Sequence, residues 1–285
     1  MIKHISILLF FVLLFSSCRT NNDRLIFSSS RNGNSDIFIM DNDGTNKIAL
    51  TQSDFEEWGP TWINKNEISF LRQTADSIFR IKLHLKTKSE SKLAHPDNCL
   101  LDDKNILYAN ELEAYTCKND IFIHNTKLNE TTNITSKLEG VANYPGWSHD
   151  GNSLIFTSNH LGTNELFEYQ VETKKTLQLT DSNSNNERGD LSPDRKSIVY
   201  SSDIFEKGNQ DIVLKDLVSG DIKNISRSPG MELIARFSRD GKQIFYGTNK
   251  DNNWEIYVYN LETQSEIKLT HNNEFDGDPR ILKMK

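Results

Sequence analysis

Short apolar runs that end on an aromatic residue recur along the chain at near-constant spacing. They are Leu25-Ile26-Phe27, Ile68-Ser69-Phe70, Ile106-Leu107-Tyr108, Leu154-Ile155-Phe156, Ile198-Val199-Tyr200 and Ile244-Phe245-Tyr246. Five steps of about 44 residues separate Phe27 from Tyr246, a period that belongs to a repeat architecture. A second run follows each after a polar loop: Asp36-Ile37-Phe38, Ser77-Ile78-Phe79, Asp120-Ile121-Phe122, Glu165-Leu166-Phe167, Asp211-Ile212-Val213 and Glu255-Ile256-Tyr257. A third element closes each unit at Leu50-Thr51, Leu93-Ala94, Ile134-Thr135, Leu179-Thr180, Ile225-Ser226 and Leu269-Thr270. A fourth precedes the first in the later units, at Pro60-Thr61-Trp62, Asn98 to Leu101, Pro145-Gly146-Trp147-Ser148, Asp190-Leu191-Ser192 and Arg236-Phe237-Ser238. Tight polar turns such as His149-Asp150-Gly151-Asn152 and Arg239-Asp240-Gly241-Lys242 then lead into the aromatic-ended run, and Asp-Gly is a strong hairpin signal.

Each repeat therefore reads as four antiparallel strands, labelled A to D, which is one propeller blade. No window carries a helical period, and the Val/Ile/Phe/Tyr-rich runs favour strands throughout. The first unit has B, C and D without A, while Asp278-Pro279-Arg280-Ile281-Leu282 supplies a lone A-like strand. Joining the two closes a ring and removes its exposed edge. The expected fold is an all-β, six-bladed propeller over residues 24–285.

These residues resemble the TolB-type propeller repeat, whose pattern is Pro-x-Trp-Ser-Pro-Asp-Gly, Ile-x-Phe-x-Ser, Asp-Ile-Tyr and Leu-Thr. The match is carried by Pro145 to Gly151, by Leu154 to Ser158 and by Leu179-Thr180, and it is degenerate at the turns of repeats two and three. The resemblance is specific for fold. It implies less about activity, since similar repeats occur in the Tol envelope protein, in propellers that gate serine peptidases and in polysaccharide lyases.

The N-terminal segment changes the picture of location. Lys3 and His4 precede an apolar run from Ile7 to Phe15, and small Ser16 and Ser17 precede Cys18, a signal-peptide pattern with a lipobox-like end. Residues 1–17 read as a lipoprotein signal, Cys18 as the lipidated first residue of the mature chain, and 18–23 as anchor and spacer. Arg19, where enteric inner-membrane lipoproteins carry Asp, leans toward the outer membrane. Export permits disulfides, which makes Cys99 and Cys117 an expected pair. The 285-residue chain has a formal charge of −7, which argues against nucleic acid as a partner.

None of the seven His lies in a nucleophile or zinc-type spacing, and His149 reads as a surface turn residue. Asp41-Asn42-Asp43-Gly44 lacks the bidentate Glu of a calcium loop and reads as a turn. No catalytic residue, metal site or cofactor is expected. In the four-strand scheme the D-to-A and B-to-C loops share one face, the top, whose channel mouth is expected to be ringed by Glu57, Trp58, Asn143, Tyr144, Asn186, Glu187, Glu232 and Asp276. Such an acidic and aromatic ring would suit a cationic or hydroxyl-rich ligand. The bottom face is expected to lie toward the membrane, with Lys283 and Lys285 near anionic headgroups. The overall expectation is a monomeric, non-catalytic envelope protein that binds a protein, peptide or glycan. The alternatives are a hydrolase or lyase acting on an extracellular polymer and a small-molecule or calcium scaffold.

Overall fold

A computed structural model describes residues 23–99 and 104–283. The proposed signal segment, Cys18, Arg19 and Lys285 lie outside them. Six sheets of four antiparallel strands form the ring of a β-propeller. The innermost strands A are Asp276–Ile281, Glu56–Asn64, Leu107–Ala109, Ala142–Trp147, Asn186–Leu191 and Glu232–Phe237 for blades 1 to 6. Blade 1 is closed as the sequence suggested: Asp276–Ile281 pairs with Arg24–Ser29, Leu25 facing Ile281 and Ser29 facing Asp276.

The core lies between blades. In strand B of blade 1, Leu25 and Phe27 pack with Phe245, Ile256 and Val258 of blade 6, while Ile26 packs with Trp62, Ile68 and Phe70 of blade 2. Both faces of strand B are therefore dry, and the same holds in blades 2, 4, 5 and 6, whereas strand B of blade 3 leaves Glu113 and Thr116 half-buried. That is why these strands read as unbroken apolar runs rather than alternating ones.

The Leu-Thr pairs, expected on the outer strands D, lie at or just past them; Ile48–Ala49, Lys175–Gln178 and Ser265–Lys268 are such strands. Each pair does a defined job. The amide of the first residue extends the ladder, as in Leu179 N–H to Leu166 O (2.8 Å). The hydroxyl of the second accepts the amide that strand C presents next, as in Leu166 N–H to Thr180 Oγ1 (2.8 Å). Thr51, Thr135, Ser226 and Thr270 accept from Ile37, Ile121, Ile212 and Ile256 in the same way. In blades 1 and 3 the hydroxyl also donates to the acid that opens strand C, Asp36 or Asp120. Blade 2 has Ser77 and Ala94 at these places, so both partners are lost together.

Blade 3 departs from the expected register. Ile106-Leu107-Tyr108 runs into strand A, not B, and strand B is Leu112–Cys117. Lys118 and Asn119, at φ 49° and 69°, make a two-residue turn of the kind that matches strand twist. The segment 110–119 is thus a turn and a strand rather than a long B-to-C loop. The apolar cluster at this boundary is small, built on Ile106, Tyr115 and Cys117. Polar contacts supplement it: Asn105 Nδ2 donates to Gly59 O (3.1 Å), and Arg80 donates to Tyr108 Oη (3.1 Å). Cys99 and Cys117 are bridged there, their Cα atoms 5.5 Å apart, tying the connector between blades 2 and 3 to the upper end of strand B.

Candidate functional site

Strand A of five blades breaks register with strand B near its upper end, a β-bulge repeated around the axis. The first unpaired residue of the break is left-handed each time: Gly59 at φ 59°, Tyr144 at 50°, Arg188 at 57°, Ile234 at 61° and Asp278 at 55°. Glycine takes this backbone freely, but four of these five residues carry side chains, one of them β-branched. All five line one cavity of about 310 Å³ at the top of the channel. The other left-handed non-glycine residues of the chain lie in turns and loops, whereas these four share the wall of one cavity, which makes that wall the candidate site.

The upper wall of this funnel is apolar and aromatic, with Trp58, Tyr144, Leu233, Trp254 and Phe275. Gly277 lets Phe275 lie across the mouth, since a Cβ there would collide with the Phe275 ring. Arg188 stacks on Tyr144, its guanidinium carbon 3.8 Å from the ring centre. Below them stand Arg236 and Arg280, which also line a smaller cavity of about 60 Å³ beneath. Burial brings the Arg236 guanidinium down to about 9, with Arg280 opposing its charge as well, and burial also lowers Arg280. Arg236 Nη1 donates to Arg188 O (3.1 Å).

The lower end is closed by Lys283. It leaves blade 1, crosses the axis and donates to Trp147 O of blade 4 and to the Asp190 carboxylate of blade 5. Burial works against the Asp190 charge, yet Lys283, His149 and Arg236 hold its carboxyl below the ordinary range. Lys283 is therefore not at a lipid surface, because a buried carboxylate and a carbonyl take its ammonium. His149 is not a surface turn residue either. Its Nε2 is buried without a hydrogen-bond partner, and burial, with Lys283 nearby, lowers it to about 4.

The expected rim residues divide into two groups. Trp58 and Tyr144 line the funnel, whereas Glu57, Asn186, Glu232 and Asp276 are buried in the blades and offer no acidic mouth. Glu57 is held by Arg72 and Ser53, Glu232 by Ser226, Ser228 and Thr248, and Asp276 by Arg31 and Asn272. Asn186 donates to Glu165 Oε2 (2.8 Å) and accepts from Ser202. Each fastens its strand A to neighbouring loops. Asn143 accepts from the Tyr144 amide and Glu187 from Asn164, both half-buried. The lining charge is consequently cationic, with Lys104, Arg188, Arg236 and Arg280 against Asp278. A preference for cations, expected from an acidic ring, does not follow from this wall.

Outside the funnel the same face carries exposed Phe55, Val141, Leu161, Phe205 and Met231, all on D-to-A or B-to-C loops. Among the described residues no group of three or more His, Cys, Asp or Glu could hold a metal ion.

No protein-family model matches the chain. Over 125 residues it is 22% identical to the Tol-Pal system protein TolB of Wolinella succinogenes, a match that covers 44% of this chain and 29% of that one. The fold is similar to TolB from Acinetobacter baumannii, with a TM-score of 0.76 at 18% identity, covering 92% of this chain and 67% of that one. A putative TolB from Agrobacterium tumefaciens gives 0.67 at 14%, covering 91% and 98%. An oligogalacturonate lyase in complex with manganese gives 0.54 at 14%, covering 80% and 72%, a likeness of fold alone.

Proposed function

We propose, from the chain's being a TolB-like β-propeller, that it is a non-catalytic binding protein of the bacterial cell envelope that captures a partner protein on its top face. The observation that carries this reading is the ring of left-handed bulges holding Tyr144, Arg188, Ile234 and Asp278 around the funnel. The exposed apolar loop residues on that face widen the surface, and loops on a rigid scaffold are where binding residues gather. The TolB relatives support an envelope location and a protein partner.

In this proposal Cys18 carries lipid that holds the propeller at a membrane, and the outer membrane fits Arg19. Arg24 opens strand B of blade 1 at the bottom, so a short tether leaves the funnel facing away from the lipid. A photo-crosslinking amino acid placed at Trp58 or Tyr144 in cells tests the partner face. Adducts to an envelope protein are expected there and not from Val218, exposed in a bottom turn of blade 5. Adducts from Val218 alone would refute the choice of face. Fatty-acid labelling lost in Cys18→Ala tests the anchor.

A further inference from the structure

The funnel has three properties that together select a ligand. It is cationic at depth, apolar at its wall, and blind. The Arg280 side chain is half-buried on the cavity wall, with Asp278 and Asp190 offsetting only part of its desolvation, and the buried Nε of Arg188 makes no hydrogen bond, its nearest carboxylate being Glu187 at 4.0 Å. Arg236 is almost wholly buried, its Nη1 directed to carbonyls of Arg188 and Ala235. Three guanidinium groups converging on one small cavity, one of them buried and the other two half-buried with donors to spare, call for an anion that accepts in a fork, which a carboxylate does. Asp190 is already bound to Lys283, and Phe237 N–H donates to it (2.8 Å), so it does not serve these arginines fully.

The closed lower end narrows the choice further. Lys283 bridges opposite sides of the ring, so a polymer cannot run through the channel. Whatever enters must end inside or turn back. A cavity of about 310 Å³ is at the small end of binding cavities and receives a chain end rather than a folded element. The face around it is apolar, with Phe55, Phe205 and Met231 exposed, which fits the surface of a protein carrying that end better than a glycan.

We infer that the funnel receives the C-terminal carboxylate of a partner polypeptide, held by Arg188, Arg236 and Arg280, with the preceding side chain against Trp58, Tyr144 and Trp254. The inference rests on the partner-binding reading and names what that partner presents. Capture of a terminal carboxylate by fixed donors is a recurrent mode of peptide recognition.

The test uses the full-length protein in detergent, immobilised, with two degenerate N-acetylated hexapeptide pools that differ only in a free carboxylate or an amide at the C-terminus. Trigalacturonate serves as the sugar-acid arm. Retention of the free-acid pool should exceed that of the amide pool about tenfold, as loss of a charge-assisted fork implies. Arg188→Gln and Arg280→Gln should each erase the difference, and Lys175→Gln on an outer strand should not. Should an arginine variant fail to fold, the comparison of the two pools on wild type decides alone. Equal retention, no retention of either pool, or retention of trigalacturonate above both overturns the inference. Cross-linking of an envelope protein at Tyr144 together with equal retention refutes the carboxylate and leaves partner binding standing.

Discussion

Ile234 gives the sharpest test of the bulge ring, because it is a β-branched residue at φ 61°. Left-handed backbone costs an L-residue about 1–2 kcal/mol and glycine almost nothing. In an ordinary strand the order of alanine and glycine is the reverse, glycine being worse by about 0.5–1 kcal/mol. Ile234→Ala and Ile234→Gly remove the same half-buried side chain to within a methyl group, so the loss of burial nearly cancels between them. What remains is strain relieved less backbone entropy, which puts glycine ahead of alanine by about 0.5–1 kcal/mol. In a domain of this size that is a Tm difference of about 2–3 °C. Ile267, exposed in strand D of blade 6, provides the contrast, since there alanine should exceed glycine. Calorimetry and urea titration of the four variants measure both signs. If Ile234→Ala is at least as stable as Ile234→Gly, the bulge is not strained and the ring of held side chains loses its argument.

Other consequences follow from single residues. Reducing the Cys99–Cys117 bridge should destabilise the protein by about 3 kcal/mol, the chain-entropy value for a loop of this length, and intact mass should rise by two hydrogens on reduction. Wild-type protein that shows two free thiols before reduction would refute it. His149 is neutral in the folded state down to about pH 4 but protonates near 6.5 when unfolded. Stability should therefore hold above pH 7 and fall as the pH drops from about 6.5 to 4, by at most about 3 kcal/mol, with a flatter limb in His149→Asn. An unchanged acid limb in that variant would rule His149 out. Gly277→Ala should force Phe275 off the mouth and weaken ligand retention about tenfold with little change in Tm. A variant that retains ligand at the wild-type level would show that Phe275 is a bystander.

Much of the architecture was legible because physics repeats with the blade. Strand B is dry on both faces, so Leu154-Ile155-Phe156 and its equivalents stand out as continuous apolar runs. The Thr that caps strand C leaves a fixed Leu-Thr signal, and its absence at Ala94 coincides with Ser77 in place of an acid. Blade 3 was misread because its strand A is three residues long, so the aromatic-ended run that marks B elsewhere falls on A. The site was far less visible. The left-handed position of the bulge is Gly, Tyr, Arg, Ile and Asp in turn, with no common residue, because the backbone geometry is shared and the side chains are not. Glu57, Glu232 and Asp276 resembled an exposed rim since acids before a strand usually face water. Here serines, threonines and arginines distant in sequence bury them. Lys283 meets Asp190 across 93 positions of chain, a pairing that no local pattern carries.

The closing strand of blade 1 comes after every other described strand in the chain, so the ring cannot close until the last segment is available. Until residues 276–283 are in place, Arg24–Ser29 remains an unpaired edge and the Asp190 carboxylate lacks its ammonium. An open ring with an adhesive edge is then an unavoidable precursor of the native state, and a message cut short before Asp276 yields a chain that cannot leave that condition. One segment, residues 276–283, both closes the ring and carries the ammonium that seals its lower end, so losing it opens the edge and the cup together.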